Sequence, residues 1–455
     1  MKLRSLLFLA AAAQTLAAAA QTIASPAAET KNDALNTWFA KPAADRGAPP
    51  SGPPLTRAAS DALLPSLISA ARSGATAAGL DKLLPAPASL ESLRNNPPAA
   101  PLRPGTIKTM GFEMPFVLLA KGEKPKDGWP LFLCLHGGGG NDKATGPHAW
   151  DVNSREWQAQ VALFERVYSP AGIYFIPRMA DDRKGRWYFD HNQDAFDKVI
   201  RAAIAFLDVN PDRVCMLGIS EGGYGAIRFA GNRPDRFAAT NGMAAAEPLD
   251  TSPTENMRNV ALRIDIGEND TMFDRVGLAR RMGDSLTDLH RKDPAGYDFL
   301  VNIQKGRGHG IDYAPGPQWI ASKTRNPWPD RVVWTVRPFD RSVALQNYWL
   351  ALPAAPDTMP LRLSAAIKNN TVTLSAETDS PDRPSRLPAS SGRILIRLND
   401  HLADLDQPVT VILNGKPRPP VKATRSLATM ALTMAERGDP RLCFPAEISI
   451  DLATP

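Results

Sequence analysis

Residues 213–225 read Arg-Val-Cys-Met-Leu-Gly-Ile-Ser-Glu-Gly-Gly-Tyr-Gly, an apolar run that ends in Gly218-Ile219-Ser220-Glu221-Gly222 and passes into a stretch suited to a helix. A strand that turns this sharply into a helix strains the backbone at its apex and brings neighbouring main chain close on both sides. Glycine at 218 and 222 removes the two Cβ atoms that would collide, and the serine between them then projects its oxygen from the top of a sheet. Five-residue patterns of this kind also arise by chance, so the weight comes from context. Residues 214–217 read as a buried strand and residues 224–230 as a helix. The stretch is a nucleophile elbow with Ser220 at its tip.

A glycine run lies upstream. Leu135-His136-Gly137-Gly138-Gly139-Gly140 follows an apolar strand and suits a loop whose amides face a developing negative charge. The amide of Glu221, next after the serine, and that of Gly138 or Gly139 are the expected oxyanion donors. No Gly-Lys-Ser/Thr follows the run, which disfavours a phosphate-binding loop. A base must lie downstream of the serine with an acid between them. Of the six histidines, His309 stands in Lys305-Gly306-Arg307-Gly308-His309-Gly310, directly after the last predicted strand of the sheet. His290 falls inside a predicted helix and His401 in the C-terminal β region. Asp270 follows Ile264-Asp265-Ile266-Gly267 in a post-strand loop and is the expected acid, with Asp274 and Glu268 as rivals. Asp274 sits where a helix begins and suits an N-cap.

The surroundings give the fold class. Strands are expected at 106–110, 114–119, 131–135, 173–176, 214–217, 238–242, 261–266 and 299–303, and helices at 196–207 and 274–289. Near-continuous apolar strands alternating with helices imply an α/β architecture with a mainly parallel sheet over residues 105–325. Residues 330–455 change character. Short alternating runs at 332–336, 348–350, 361–367, 371–376, 394–398, 409–413, 430–434 and 448–452, with the hairpin signal Asn414-Gly415, predict an all-β sandwich-like module. Residues 21–104 are rich in Ala and Pro and hold one helical pattern at 55–71 between extended linkers.

Composition narrows the class. The 455-residue chain is 43% hydrophobic and 22% charged, values of an ordinary globular protein long enough for two or three domains. Its net charge of +6 is spread without a basic run, so nucleic acid is not an expected partner. Lys2 and Arg4 precede the apolar run 6–13, and Ala18-Ala19-Ala20 supplies a cleavage site, so residues 1–20 read as a signal peptide, too short to span a membrane. The expected location is periplasmic or extracellular. Three cysteines are too few for a disulfide-dependent fold. No cluster has metal-ligand spacing and no dinucleotide fingerprint follows a strand, so neither metal nor cofactor is expected.

On His136-Gly137-Gly138-Gly139, Gly218-Ile219-Ser220-Glu221-Gly222, Asp270 and His309, in the order Ser, Asp, His, residues 105–325 resemble secreted α/β-hydrolases of the feruloyl-esterase-like, polyhydroxybutyrate-depolymerase-like and prolyl-oligopeptidase-like group. The resemblance implies an α/β-hydrolase fold and a serine hydrolase that cleaves carboxylic esters, carbohydrate-linked or polymeric ones included. Two other readings stay open. A serine peptidase needs an anchor for the peptide amine, and none is identified; a glycan- or cell-wall-binding protein would leave the intact constellation idle. Trp187 and Tyr188, in Arg183-Lys184-Gly185-Arg186-Trp187-Tyr188-Phe189-Asp190, could offer flat surfaces to a sugar or aromatic acyl group, or pack the loop onto the body.

Overall fold

The computed structural model describes residues 26–95, 104–380 and 385–453; the expected signal peptide lies outside them. The apolar runs form one nine-stranded sheet. Its strands are β1 (Ala88–Ser89), β2 (Gly105–Thr109), β3 (Phe112–Lys121), β4 (Trp129–Leu135), β5 (Gly172–Pro177), β6 (Val209–Ile219), β7 (Ala239–Met243), β8 (Ala261–Gly267) and β9 (Phe299–Gln304). The spatial order is β1-β3-β5-β4-β6-β7-β8-β9, with β2 paired to β3. From β5 to β9 every pairing is parallel, and β3 runs antiparallel to β5 and β2. Burial on both faces explains the continuous apolar strands: every residue of β5, β7 and β8 is buried.

The helices in chain order are α1 (Pro26–Ala40), α2 (Arg57–Ala77), α3 (Leu90–Asn95), α4 (Asp151–Arg166), α5 (Asp190–Phe206), α6 (Glu221–Asn232), α7 (Arg275–Lys292), α8 (Pro315–Ala321) and α9 (Leu427–Arg437). Phe196, Val199, Ile200 and Ala203 on α5 join Ala226, Ile227 and Phe229 on α6 in the largest core, while Phe164 of α4 and Ile320 of α8 line the core on the other side. All three cysteines are buried and unpaired.

Beyond residue 330 two further sheets enclose one core. Strands Arg331–Val336, Leu361–Lys368, Thr371–Asp379 and Thr410–Leu413 belong to the first sheet; Arg393–Leu398 and Ala446–Asp451 belong to the second. Asn414 (φ 47°) and Gly415 (φ 79°) make the hairpin turn their dipeptide signals. One expectation is corrected: residues 430–434, read as a strand, lie in α9. Ser426 caps its start by accepting from the Thr429 amide, and left-handed Gly438 ends it. Two turns of helix bury Leu427, Met430 and Met434 on one face, which a two-residue period would have split between two faces. That face packs against Leu35, Trp38 and Phe39 of α1 and Leu67 and Ala70 of α2.

Candidate active site

Four loops at the carboxyl ends of parallel strands meet at the reversal point of the sheet, between β4 and β6, where ligands of open α/β sheets bind. Ser220 follows β6 with φ 53° and ψ −115°, and its amide donates to Met243 O at 2.8 Å. A Cβ on Gly218 would lie 2.1 Å from Gly222 O, and one on Gly222 would lie 2.2 Å from Leu135 O, so both glycines are required by close approach.

Asp270 and His309 arrive on loops zipped to each other. The Glu268 amide donates to Gln304 O at 3.0 Å, the Asn269 amide to Arg307 O at 2.8 Å, and Glu268 Oε2 accepts from the Gly306 amide at 2.9 Å. His309 Nδ1 lies 2.7 Å from Asp270 Oδ2, and His309 Nε2 lies 3.2 Å from Ser220 Oγ. Asp270 is buried while His309 is half-exposed at the mouth. Sequence reasoning missed Arg275, the first residue of α7: buried, it donates to Asp270 Oδ1 at 2.8 Å and to Tyr224 Oη at 2.7 Å. Neither rival acid touches the histidine. Asp274 adopts φ 54° and makes no side-chain cap, contrary to its expected role; it pairs with Arg281 at 2.6 Å instead. Met272 and Phe273, 62% and 73% exposed, present apolar surface on the loop that carries Asp270.

The glycine loop is held from behind. Asn153 Nδ2 donates to Gly139 O at 2.9 Å and to Asp182 Oδ1 at 2.7 Å, and Asn153 Oδ1 accepts from the Gly139 amide at 3.1 Å. Asp182 is paired with Arg178 at 2.8 Å. The Gly139 amide is therefore already engaged by Asn153, which does not fit its expected part as an oxyanion donor, while Gly138 stands at φ 92°. His136 is part of the scaffold: Nε2 accepts from the Met179 amide at 2.9 Å, and burial drives the ring down to about 3.

Trp187 is also corrected. It is fully buried, and its indole N–H donates to His136 O at 3.0 Å, so it offers no face to a substrate. Tyr188 is half-buried against Phe189 and Phe339, with Arg228 4.0 Å over its ring.

From β2 onward the sheet has eight strands with the second antiparallel, and the serine follows the fifth, the acid the seventh and the histidine the eighth. This is the α/β-hydrolase fold. No protein-family model matches the chain. Over 131 residues the chain is 32% identical to NocK, a protein of Nocardia uniformis subsp. tsuyamanensis named as an esterase; the match covers 28% of this chain and 37% of that one. The chain thus spans little more than a third of that relative's length. Similar solved structures include a thermostable esterase (19% identity, TM-score 0.36, 49% of this chain and 62% of that one). A ferulic acid esterase is 16% identical with a TM-score of 0.33, over 48% and 97% of the two chains. Esterase 2 of Thermogutta terrifontis is 16% identical with a TM-score of 0.35, over 50% and 93%.

Proposed function

We propose that the protein is a serine esterase that cleaves carboxylic esters through an acyl-enzyme. The observation that carries this reading is the unbroken line from Ser220 Oγ to His309 Nε2 at 3.2 Å and from His309 Nδ1 to Asp270 Oδ2 at 2.7 Å, on a serine presented at φ 53°. His309 Nε2 takes the serine proton as Oγ attacks the acyl carbon. Asp270 accepts from Nδ1–H, fixes the tautomer and stabilises the imidazolium. The oxyanion would lie between the amides of Gly138 and Glu221, each such donor being worth about 3 kcal/mol of barrier. The alcohol leaves with the proton held by His309, and water activated by the same ring frees the acid. The esterase name of NocK supports the choice of ester over amide. Export belongs to the same proposal and rests on the composition of residues 1–20 alone.

The test is hydrolysis of p-nitrophenyl acetate together with labelling by a fluorophosphonate. Ser220→Ala should abolish labelling and lower turnover by about three orders of magnitude or more, with the fold intact. A folded Ser220→Ala variant that keeps a tenth of the activity would remove Ser220 from the chemistry.

A further inference from the structure

We propose that Arg186 and Glu221 form a clamp that holds the two halves of the oxyanion site in register, which makes both side chains positioning residues; the proposal rests on the esterase reading above. The two donor amides belong to different elements, Gly138 to the loop after β4 and Glu221 to the start of α6. A catalytic constellation must be held within about 0.5 Å, so something has to tie these elements together.

The segment 182–187 is fixed to the glycine loop at several points. The Asn141 amide donates to Asp182 O at 2.7 Å, and Trp187 donates to His136 O at 3.0 Å. Gly185 packs so closely that a Cβ there would lie 1.8 Å from Gly139 O and 2.3 Å from Gly140 N. The Arg186 carbonyl accepts from Asn192 Nδ2 at 2.9 Å. From this anchored segment the Arg186 guanidinium crosses to Glu221 and donates from Nη1 to Oε2.

Glu221 is 3% exposed, and among the described residues Arg186 is the only hydrogen-bond donor to its carboxylate; Oε1 is buried without a partner. A carboxylate left half-satisfied in a buried site is costly, and such groups call for a functional reason. The other charged and titratable groups facing it do not take the place of Arg186. Arg228, on the same helix, donates to Glu247 Oε1 at 2.7 Å, Thr251 donates to Glu247 Oε2 at 2.7 Å, and Tyr224 accepts from Arg275. Glu247, from the loop after β7, adds like charge. Burial pushes the Glu221 carboxyl up to about 7 against the pull of Arg186, so the charge that the clamp uses is lost in mild acid.

The experiment measures kcat and KM for p-nitrophenyl acetate from about pH 5 to 9 in the full chain and in Glu221→Gln, Arg186→Gln, Arg186→Lys and the Arg186→Gln/Glu221→Gln double variant. Each Gln variant should lower kcat about tenfold or more with KM changed less than about threefold, and the double variant should be no worse than about the poorer single. Arg186→Lys should recover part of kcat, and Glu221→Gln should make the acid limb of the pH profile shallower by removing one ionisation. Either single variant with near-parental kcat, losses that multiply in the double variant, or an effect confined to KM would overturn the clamp. The isosteric Glu221→Gln and the cation-keeping Arg186→Lys preserve the test if Arg186→Gln does not fold. Fluorophosphonate labelling of the parent separates the two ideas: an unlabelled Ser220 defeats the esterase reading itself, whereas a labelled one with unchanged variants defeats only the clamp.

Discussion

Asp270 has both carboxylate oxygens engaged, one by His309 Nδ1 and one by Arg275 Nη1, while Asp274, four residues on, faces solvent and Arg281. Asp270→Asn leaves the imidazole in the wrong tautomer and should lower kcat by about 10³–10⁴, with a smaller effect on melting temperature. Asp274→Asn should change neither by more than a few-fold or a degree or two. A kinetic loss in Asp274→Asn would move the acid to that position. Glu221 gives a second prediction. Its carboxyl is raised by burial from 4.5 to about 7, so ionisation opposes folding: the stability of the neutral form is complete below pH 4.5 and is lost as pH rises through 7. Glu221→Gln cannot ionise, and above pH 7 it should therefore be more stable than the parent by up to about 3 kcal/mol while matching it in acid. Melting temperature across pH measures this, and superimposable curves would mean that the parent pays no such cost. Stability gained where activity is lost is the pattern expected of a side chain kept for its function.

The glycine loop shows what a single element demands. Gly138 sits at φ 92°, and a Cβ there would lie 2.2 Å from Asn153 Oδ1, the oxygen that holds the Gly139 amide. Gly138→Ala should displace the donor amide and cost about 10²-fold in kcat, with little change in KM for a small ester. Kinetics within a factor of three of the parent would show that this amide does not serve the reaction. These glycines were legible in the sequence because the demand is local: a turn that excludes Cβ leaves a glycine wherever it occurs. Strands β2 to β9 and helices α5, α6 and α7 were legible for a similar reason, since period and burial are written in consecutive residues, whereas β1, α4 and α8 were not. Asn153, Arg186 and Arg275 were not legible, because a polar residue on a helix or loop reads as a solvated face until the fold brings its partner to it. Residues 430–434 were misread although the signals were present. Ser426 and Gly438 bracket a helix, whereas the run Met-Ala-Leu-Thr-Met taken alone is too short to tell a helical period from a strand period.

Across the whole molecule the α/β body and the C-terminal sheets share a buried ionic seam. Arg325 donates to Asp212 and to Asp439, each at 2.8 Å, Arg441 reaches Asp212 at 2.8 Å, and Arg437 pairs with Asp235. Phe339 packs edge-on to Phe229 at 5.1 Å. Removing one member of such a network leaves its partners charged and dry, so Arg325→Met should destabilise the protein by about 3–5 kcal/mol. Chemical denaturation measures it, and a loss below about 1 kcal/mol would mean that water reaches the seam. For the same reason a chain ended at residue 328 strips Asp235 of Arg437 and Arg325 of Asp439, and should be recovered insoluble. A soluble truncate with full turnover of a small ester would show that the sheets beyond 330 are dispensable to the body. Nothing local in the sequence announces the seam: its acids and arginines are scattered from position 212 to position 441, and only the fold collects them.

Helices α1 and α2 pack on each other and share an apolar cluster with Leu427, Met430, Ala431 and Met434 of α9, close to the other end of the described chain. A ribosome releases α1 and α2 long before it makes α9, so during synthesis the two helices can pack on each other while the apolar surface that Leu427, Met430 and Met434 cover stays bare. In refolding, the same closure joins residues separated by most of the chain, the kind of contact that forms late and slowly. The nascent protein therefore passes through a long interval with one apolar stripe of this helix pair uncovered, a handle for a holdase chaperone and a delay on premature folding.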